Sequence, residues 1–237
     1  MIIEEAATRD TAVLKRMAAL AAVAEVVDGM IVGLGTGTTA AFAIDALGER
    51  AKAGLRITTV ATSLETARAA EAAGLTVMAF DTLDHVDIGI DGADELDHRL
   101  RSIKGGGGAL LREKIVATAA GRMIAIVDDS KLVGRLGAHA LPVEVLPFAA
   151  GFVTRRIEAL GASVVRRMGG GEPYGTDQQN AVLDCDFGLI EDPEPLALAL
   201  SVIPGLLGHG LFLDEFDIAY VAAAGGVQRL MRNKSGD

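Results

Sequence analysis

The amino-acid sequence predicts an α/β protein in which an open parallel sheet carries an inserted, smaller α+β domain. Between Thr11 and Val127, short apolar segments alternate with amphipathic helical segments, and this alternation changes from about Leu141. Strands that are apolar on both faces and separated by helices are typical of a parallel sheet covered on both sides. The 237 residues, half of them hydrophobic, are enough for a large and a small domain.

The first part of the chain alternates between predicted helices and strands. An Ala-rich amphipathic segment, Thr11–Val27, predicts the opening helix. A strand at Met30–Leu34, a glycine-rich turn and a helix at Thr38–Arg50 follow. Further strands are predicted at Ile57–Ala61, Thr76–Phe80, Val86–Ile90 and Met123–Val127, and further helices at Leu64–Ala73 and Ala109–Ala120.

The second part has the order β-α-β-β-α-β, which is typical of a small ferredoxin-like unit. Its strands are predicted at Leu141–Leu146, Ser163–Arg167, Ala181–Cys185 and Leu206–Leu213, and its helices at Ala150–Leu160 and Pro193–Ser201. The last apolar run, Asp217–Ala223, is predicted to return to the first sheet. We therefore expect a catalytic domain of residues 1–139 plus 214–237, and an inserted domain of residues 140–213.

Composition excludes several classes of protein. The net charge of -10 and the lack of a Lys/Arg run argue against nucleic acid as a partner. Cys185 is the one cysteine, so no intrachain disulfide forms, and a cytoplasmic location is expected. The stretch Met1–Asp10 lacks the basic start of a signal peptide. The uncharged stretch Leu196–Leu213 is interrupted by proline and glycines, so we predict no membrane span.

Two motifs follow predicted strands. The glycine-rich turn Gly33–Thr39 precedes a helix N-terminus, where free N–H groups attract a phosphate or carboxylate. The turn matches neither the Walker A loop nor the complete dinucleotide fingerprint, and a plain turn with a threonine cap is the alternative. The acidic stretch Asp91–Glu95 predicts ligand-facing carboxylates, with a metal site or a solvated helix cap as alternatives.

Lys104–Gly108 forms the most specific motif. Four successive glycines indicate close approach of the backbone to a ligand, because their N–H groups can surround an anion. Glu113 follows about one turn into the next helix, and Lys104 adds a cation. A flexible loop beside a solvated Glu–Lys surface is the alternative.

The remaining polar residues are weaker signals. Lys131 could reach a phosphate, although a lone lysine is more often a solvated side chain. Ser63–Thr66 is read first as a helix cap and second as a substrate wall. Cys185 is expected to be a small apolar side chain. The histidines lack metal-ligand spacing and are expected to be structural or exposed; they are His85, His98, His139 and His209.

Taken together and in this order, the segments GLGTGTTA, DGADE, KGGGGALLREKI, DDSKLVGRLG and LPVEVLPFA resemble the A-type ribose-5-phosphate isomerases. The resemblance runs from about Lys15 to Gly210. It implies a Rossmann-like domain with an inserted domain, a homodimer or homotetramer, and no metal or cofactor. It further implies interconversion of ribose 5-phosphate and ribulose 5-phosphate through an enediolate, in the non-oxidative pentose phosphate pathway.

The same resemblance implies roles for individual residues. Glu113 matches the general base, and Lys104 the cation that stabilises the enediolate. Asp91 and Asp94 match the acids of ring opening and hydroxyl proton transfer. Substrate contacts are expected from Lys15, Thr36, Gly37, Thr38, Thr39, Gly92, Ala93, Gly105, Gly106, Gly107 and Lys131. The turn Asp177–Asn180 and the segment Val221–Val227 depart from the usual family pattern.

Other functions stay open at this point. An amino-sugar phosphate deaminase or a CoA transferase can also use a carboxylate, but neither would need DGADE together with KGGGG. A non-catalytic sugar-phosphate sensor would need a DNA-binding module, and the chain has no basic patch for one. A dinucleotide-dependent oxidoreductase would need an acid near Thr62–Ser63, for which Glu65 is a poor candidate.

Overall fold

The computed structural model describes residues 10–233. Within them, six α-helices, α1 to α6, span Thr11–Val23, Thr38–Lys52, Leu64–Ala72, Leu110–Ala119, Ala150–Glu158 and Pro193–Ser201. Strands β1 to β17 span Ile31–Leu34, Thr58–Ala61, Thr76–Val77, Ile88–Asp91, Glu95–Asp97, Ser102–Ile103, Met123–Asp128, Leu132–Val133, Leu141–Val145, Ser163–Arg166, Met168–Gly169, Glu172–Pro173, Ala181–Asp186, Leu206–His209, Leu211–Phe212, Ile218–Ala223 and Gly226–Met231.

The central sheet has seven strands in the order β17-β16-β7-β4-β1-β2-β3. All neighbours run parallel except β16 and β17. Strands β4 and β7 are buried along their whole length, and helices α1 and α2 pack together beside the sheet. The predicted Rossmann-like parallel sheet is therefore confirmed, and the carboxyl ends of β1, β4 and β7 lie side by side.

The smaller unit has a four-stranded antiparallel sheet in the order β10-β13-β9-β14. In this order the unit's second strand lies beside its third, then its first, then its fourth, which is the ferredoxin-like arrangement predicted from the sequence. Its core contains Val143, Val153, Leu183 and Leu200. The domain boundaries at 139/140 and 213/214 stay a prediction, and Leu211–Phe212 pairs with Ser102–Ile103 outside the predicted insertion.

Several predicted elements are shorter or divided. The segment Thr76–Phe80 is a strand only at Thr76–Val77, because this edge strand has one neighbour and Phe80 begins a 3-10 turn. The opening helix ends at Val23, not Val27. The predicted strand Leu206–Leu213 breaks at Gly210, where a side chain would overlap the carbonyl of Lys104.

Three parts of the β-structure were not predicted, one of them the short antiparallel pair of β11 and β12. The strand after the break, β15, joins a second four-stranded sheet in the order β15-β6-β5-β8. The run Asp217–Ala223 does return beside β7 as β16, but the edge strand β17 follows it at Gly226–Met231. No helix within residues 10–233 combines the length and the apolar character that crossing a membrane requires. The N-terminal stretch Met1–Arg9 lies outside the described residues.

Candidate active site

The glycine turn after β1 lies against the end of β4. A side chain at Gly35 would overlap the carboxyl group of Asp91, so only glycine allows this approach. Gly37 is the N-cap of α2 and has a φ of 109°, in the region that favours glycine. The free N–H groups of the first helical turn therefore open toward the neighbouring strand ends, together with Thr38 and Thr39.

The three acids of DGADE point to different places. Asp91 ends β4, is fully buried, and accepts a hydrogen bond from the backbone N–H of Gly92 at 2.7 Å. Asp94 accepts one from the N–H of Gly106 at 2.8 Å. Glu95 instead accepts from the backbone N–H of Gly137 at 2.7 Å and contacts the ring of His139. Asp91 and Asp94 therefore belong to the site, whereas Glu95 supports the 137–139 turn.

The glycine loop Gly105–Gly108 connects the second sheet to α4. Gly105 and Gly108 have φ values of 106° and 77°, and the N–H of Gly108 donates to the carbonyl of Gly105 at 2.9 Å. A β-carbon on Gly106 would lie 2.8 Å from Oδ1 of Asp94. The acidic turn thus excludes a side chain at Gly106, whereas Leu110 and Tyr174 exclude one at Gly105 and Gly108.

Helix α4 carries Glu113 in its first turn, on its buried face. The Lys104 side chain is 3% exposed and lies between two carboxylates. Its Nζ is 2.8 Å from Oδ2 of Asp91 and 3.3 Å from Oε2 of Glu113, and it donates to the carbonyl of Gly92 at 2.7 Å. Two carboxyl groups and one ammonium group thus form a buried cluster, which carries one excess negative charge only when both carboxyl groups are ionised.

The pKa values of all three groups in this cluster are raised. Burial and the nearby charge of Asp91 raise the pKa of Glu113 to about 8, although Lys104 opposes this. Burial likewise raises the pKa of Asp91, again opposed by Lys104. Burial acts to lower the pKa of Lys104, but Asp91 and Glu113 more than compensate and raise it. Lys104 therefore stays charged while Glu113 exchanges a proton near neutral pH.

These elements enclose a cavity of about 300 Å³ at the carboxyl end of the central sheet. Its lining consists of Lys15, Thr36, Gly37, Thr38, Thr39, Gly92, Ala93, Asp94, Lys104, Gly105, Gly106, Gly107, Glu113 and Lys131. Of the site residues that the resemblance implies, Asp91 alone does not line it and lies beneath Lys104. The structure thus brings together residues from five separate segments of the chain.

Two lysines, Lys15 and Lys131, line the cavity. Nζ of Lys15, on α1, donates to Oγ1 of Thr38 at 2.8 Å, which holds it beside the N-terminus of α2. Lys131 lies in the 3-10 turn after β7. A helix N-terminus with two adjacent cations is suited to a phosphate group.

The weaker sequence signals have structural explanations. Ser63 caps α3 by accepting from the N–H of Thr66 at 3.0 Å, as the first interpretation predicted. Cys185 is buried in β13, and burial raises its pKa to about 12. His209 is buried beside Ser201, and His98 is exposed. No group of three or more His, Cys, Asp or Glu side chains within residues 10–233 is arranged to hold a metal ion.

Sequence reasoning missed the contribution of the small domain to this site. Arg167 donates to the carbonyl oxygens of Gly105 and Gly106, and the hydroxyl of Tyr174 contacts the carbonyl of Gly107. Asp177, in the atypical turn, accepts from the N–H of Leu64 at 2.7 Å. No local pattern marks these residues, because their partners lie some sixty or more positions away in the chain.

Comparison with known proteins identifies relatives along nearly the whole chain. The family model for ribose 5-phosphate isomerase A (phosphoriboisomerase A) matches residues 58–226. Ribose-5-phosphate isomerase A of Sphingopyxis alaskensis is 55% identical over 208 residues, which are 88% of this chain and 91% of the relative. That of Bradyrhizobium diazoefficiens is 47% identical over 232 residues, which are 93% of this chain and 96% of the relative.

Solved structures have the same fold. A D-ribose-5-phosphate isomerase in complex with phospho-erythronic acid has a TM-score of 0.91 and 37% identity, covering 94% of this chain and 100% of that chain. Ribose 5-phosphate isomerase A of Methanocaldococcus jannaschii has a TM-score of 0.88 and 38% identity, covering 92% of this chain and 98% of that chain. This chain therefore belongs to the ribose-5-phosphate isomerase A family.

Proposed function

We propose that this protein interconverts ribose 5-phosphate and ribulose 5-phosphate, with Glu113 as the group that moves the carbon-bound proton. The observation that carries the proposal is the buried Glu113 carboxyl group, 3.3 Å from the ammonium group of Lys104 and on the wall of the cavity. Family membership supports the overall reaction. The assignment of individual roles rests on the geometry and on elementary acid–base chemistry.

Aldose–ketose isomerisation moves one proton between neighbouring carbons. In the open-chain aldose, the Glu113 carboxylate takes the proton from carbon 2, and the electrons of the C–H bond form the carbon–carbon double bond of an enediolate. Glu113 then returns the proton to carbon 1. A base with a pKa of about 8 suits this exchange, because it can both accept and release the proton near neutral pH.

The enediolate places negative charge on the oxygen at carbon 1. Lys104 and the free N–H groups of the glycine loop are suited to stabilise this charge. The hydroxyl proton must also pass from the oxygen at carbon 2 to that at carbon 1, and Asp94 lies on the cavity wall for this transfer. Asp91 balances the charge of Lys104 at 2.8 Å and holds it in place.

The phosphate of the substrate requires a separate subsite. We assign it to Lys15, Lys131 and the N-terminus of α2 with Thr38 and Thr39, which all line the cavity. Binding energy from a remote phosphate positions the reacting carbons near Glu113. Replacement of Lys131 by alanine should therefore raise KM for ribose 5-phosphate and change kcat much less.

The assembly and location belong to the same proposal. The family resemblance favours a homodimer or homotetramer in the cytoplasm. Exposed aromatic side chains on the small unit support association, since Phe148 is fully exposed and Phe152 is 45% exposed. Light scattering after size-exclusion chromatography measures the assembly directly, and a monomeric mass would contradict it.

The deciding experiment measures ribulose 5-phosphate formation from ribose 5-phosphate in the presence of a chelator. Glu113→Gln keeps the size of the side chain and should lower kcat by about 10²- to 10⁴-fold, the usual contribution of a general base. The matched control is Glu71→Gln, on the exposed face of α3 outside the cavity. An inert wild-type protein would refute the function, whereas a fully active Glu113→Gln variant would refute only the choice of base.

A further inference from the structure

An arginine of the small unit contacts the glycine loop of the candidate active site. Arg167 directly follows β10, and its Nη1 donates to the carbonyl oxygens of Gly105 at 2.8 Å and Gly106 at 3.0 Å. The contact joins residues about sixty positions apart. It is made by a side chain that does not line the cavity itself.

An ion pair with Asp184 holds the Arg167 side chain in place. Asp184 on β13 accepts from Nε at 2.9 Å and also from Nη2, so the two side chains form a bidentate ion pair. The Arg167 side chain is only 15% exposed. The ring centre of Tyr174 lies 5.9 Å from the guanidinium carbon of Arg167. The Tyr174 hydroxyl contacts the carbonyl of Gly107 at 3.4 Å. The small unit thus holds three successive carbonyl groups of the loop.

Holding the carbonyl groups also orients the N–H groups, because C=O and N–H point in opposite directions across a trans peptide bond. The residues described contain no cis peptide bond. The carbonyl of Gly105 faces Arg167, and the N–H of Gly106 on the other side donates to Asp94 at 2.8 Å. The carbonyl of Gly106 also faces Arg167, which directs the N–H of Gly107 away from the small unit.

Gly107 lines the cavity, and within residues 10–233 its N–H donates to no protein acceptor. Gly107 is exposed at the cavity, so this donor is open to a ligand oxygen. A cation at the carbonyl oxygen polarises the peptide unit and strengthens its N–H as a donor. Arg167 therefore both orients and strengthens the hydrogen-bond donor of the loop.

We propose that Arg167 is a positioning residue for the isomerisation: it fixes the Gly105 and Gly106 peptides so that the N–H of Gly107 meets the enediolate oxygen and Asp94 stays aligned. This inference rests on the proposed function. It predicts a loss of transition-state stabilisation without a comparable loss of substrate binding, because the proposed phosphate contacts come from Lys15, Thr38 and Lys131.

The test compares Arg167→Ala, Arg167→Lys and Asp184→Asn with wild type, using initial rates over a range of ribose 5-phosphate concentrations. Arg167→Ala should lower kcat about 10- to 100-fold and change KM less than about threefold. Arg167→Lys should lose less, because one ammonium group can still reach a carbonyl but cannot form the bidentate pair. The matched control is Arg166→Ala, since Arg166 is exposed at the end of β10 and its side chain makes no hydrogen bond or ion pair with residues 10–233.

Three results would overturn the inference while leaving the proposed function intact: kcat of both Arg167 variants within twofold of wild type, a loss confined to KM, or an equal loss of kcat in Arg166→Ala. If circular dichroism shows that Arg167→Ala does not fold, Arg167→Lys and Asp184→Asn decide by the same kcat criterion. An inactive wild-type protein would overturn both the function and this inference.

Discussion

Changing Glu113 to glutamine should stabilise the protein at alkaline pH as well as inactivate it. The carboxyl group is buried beside Asp91, so its ionised form is unfavourable in the folded state, and its pKa rises to about 8 from the 4.5 of a free side chain. Glutamine has nearly the same shape and cannot ionise. Asp91 remains to balance the charge of Lys104 in the variant.

The sign and size of this stability difference between the variant and wild type follow from proton linkage. The stability that the protonated Glu113 contributes is complete below pH 4.5, and it is lost as the pH rises through about 8. One pKa unit corresponds to about 1.36 kcal/mol, so ionisation lowers the free energy of unfolding by about 1 kcal/mol at pH 5 and by about 5 kcal/mol at pH 9. The advantage of the glutamine variant should therefore grow by about 4 kcal/mol over this range.

Urea unfolding of wild type and Glu113→Gln at pH 5, 7 and 9 measures this difference. Thermal unfolding should show the same trend, with the midpoint difference between variant and wild type growing by roughly 8–16 °C for a chain of this size. Glu71→Gln, which changes an exposed carboxylate, controls for the general loss of one negative charge. A stability difference that is the same at pH 5 and pH 9 would refute the raised pKa and the argument built on it.

Three further predictions concern pH dependence, the loop and the cysteine. The kcat/KM for ribose 5-phosphate should fall as the pH drops below about 8, because the base must be ionised; constant values down to pH 6 would contradict the pKa of Glu113. Gly108→Ala should destabilise the protein by at least about 1 kcal/mol more than Gly170→Ala, since both residues have positive φ but only the first would overlap Tyr174; equal urea midpoints would contradict this packing. Native Cys185 should not react with a thiol reagent, because it is buried and its pKa is raised to about 12; rapid labelling of folded protein would contradict that environment.

Much of the fold could be predicted because its signals are local. The alternation of apolar strands with helices predicts the parallel sheet, and the β-α-β-β-α-β order predicts the smaller unit. The small strands β5, β6, β8, β11 and β12 escaped prediction, because segments of two or three residues lack periodicity and depend on their partners. The division at Gly210 also depends on a distant group, the carbonyl of Lys104.

For the candidate site, the sequence by itself determined which residues are available. Glycines where backbones must touch, acids after strand ends, and Lys104 and Glu113 around the glycine loop are all visible in the chain. Of the residues expected in the site, all but Asp91 line one cavity. Only the tertiary structure decided how they interact. In the folded chain Lys104 lies between Asp91 and Glu113, and burial raises the pKa of Glu113. Folding also directs Glu95 away from the site and brings Arg167 to the glycine loop. Desolvation and contacts between distant segments exist only once the chain is folded.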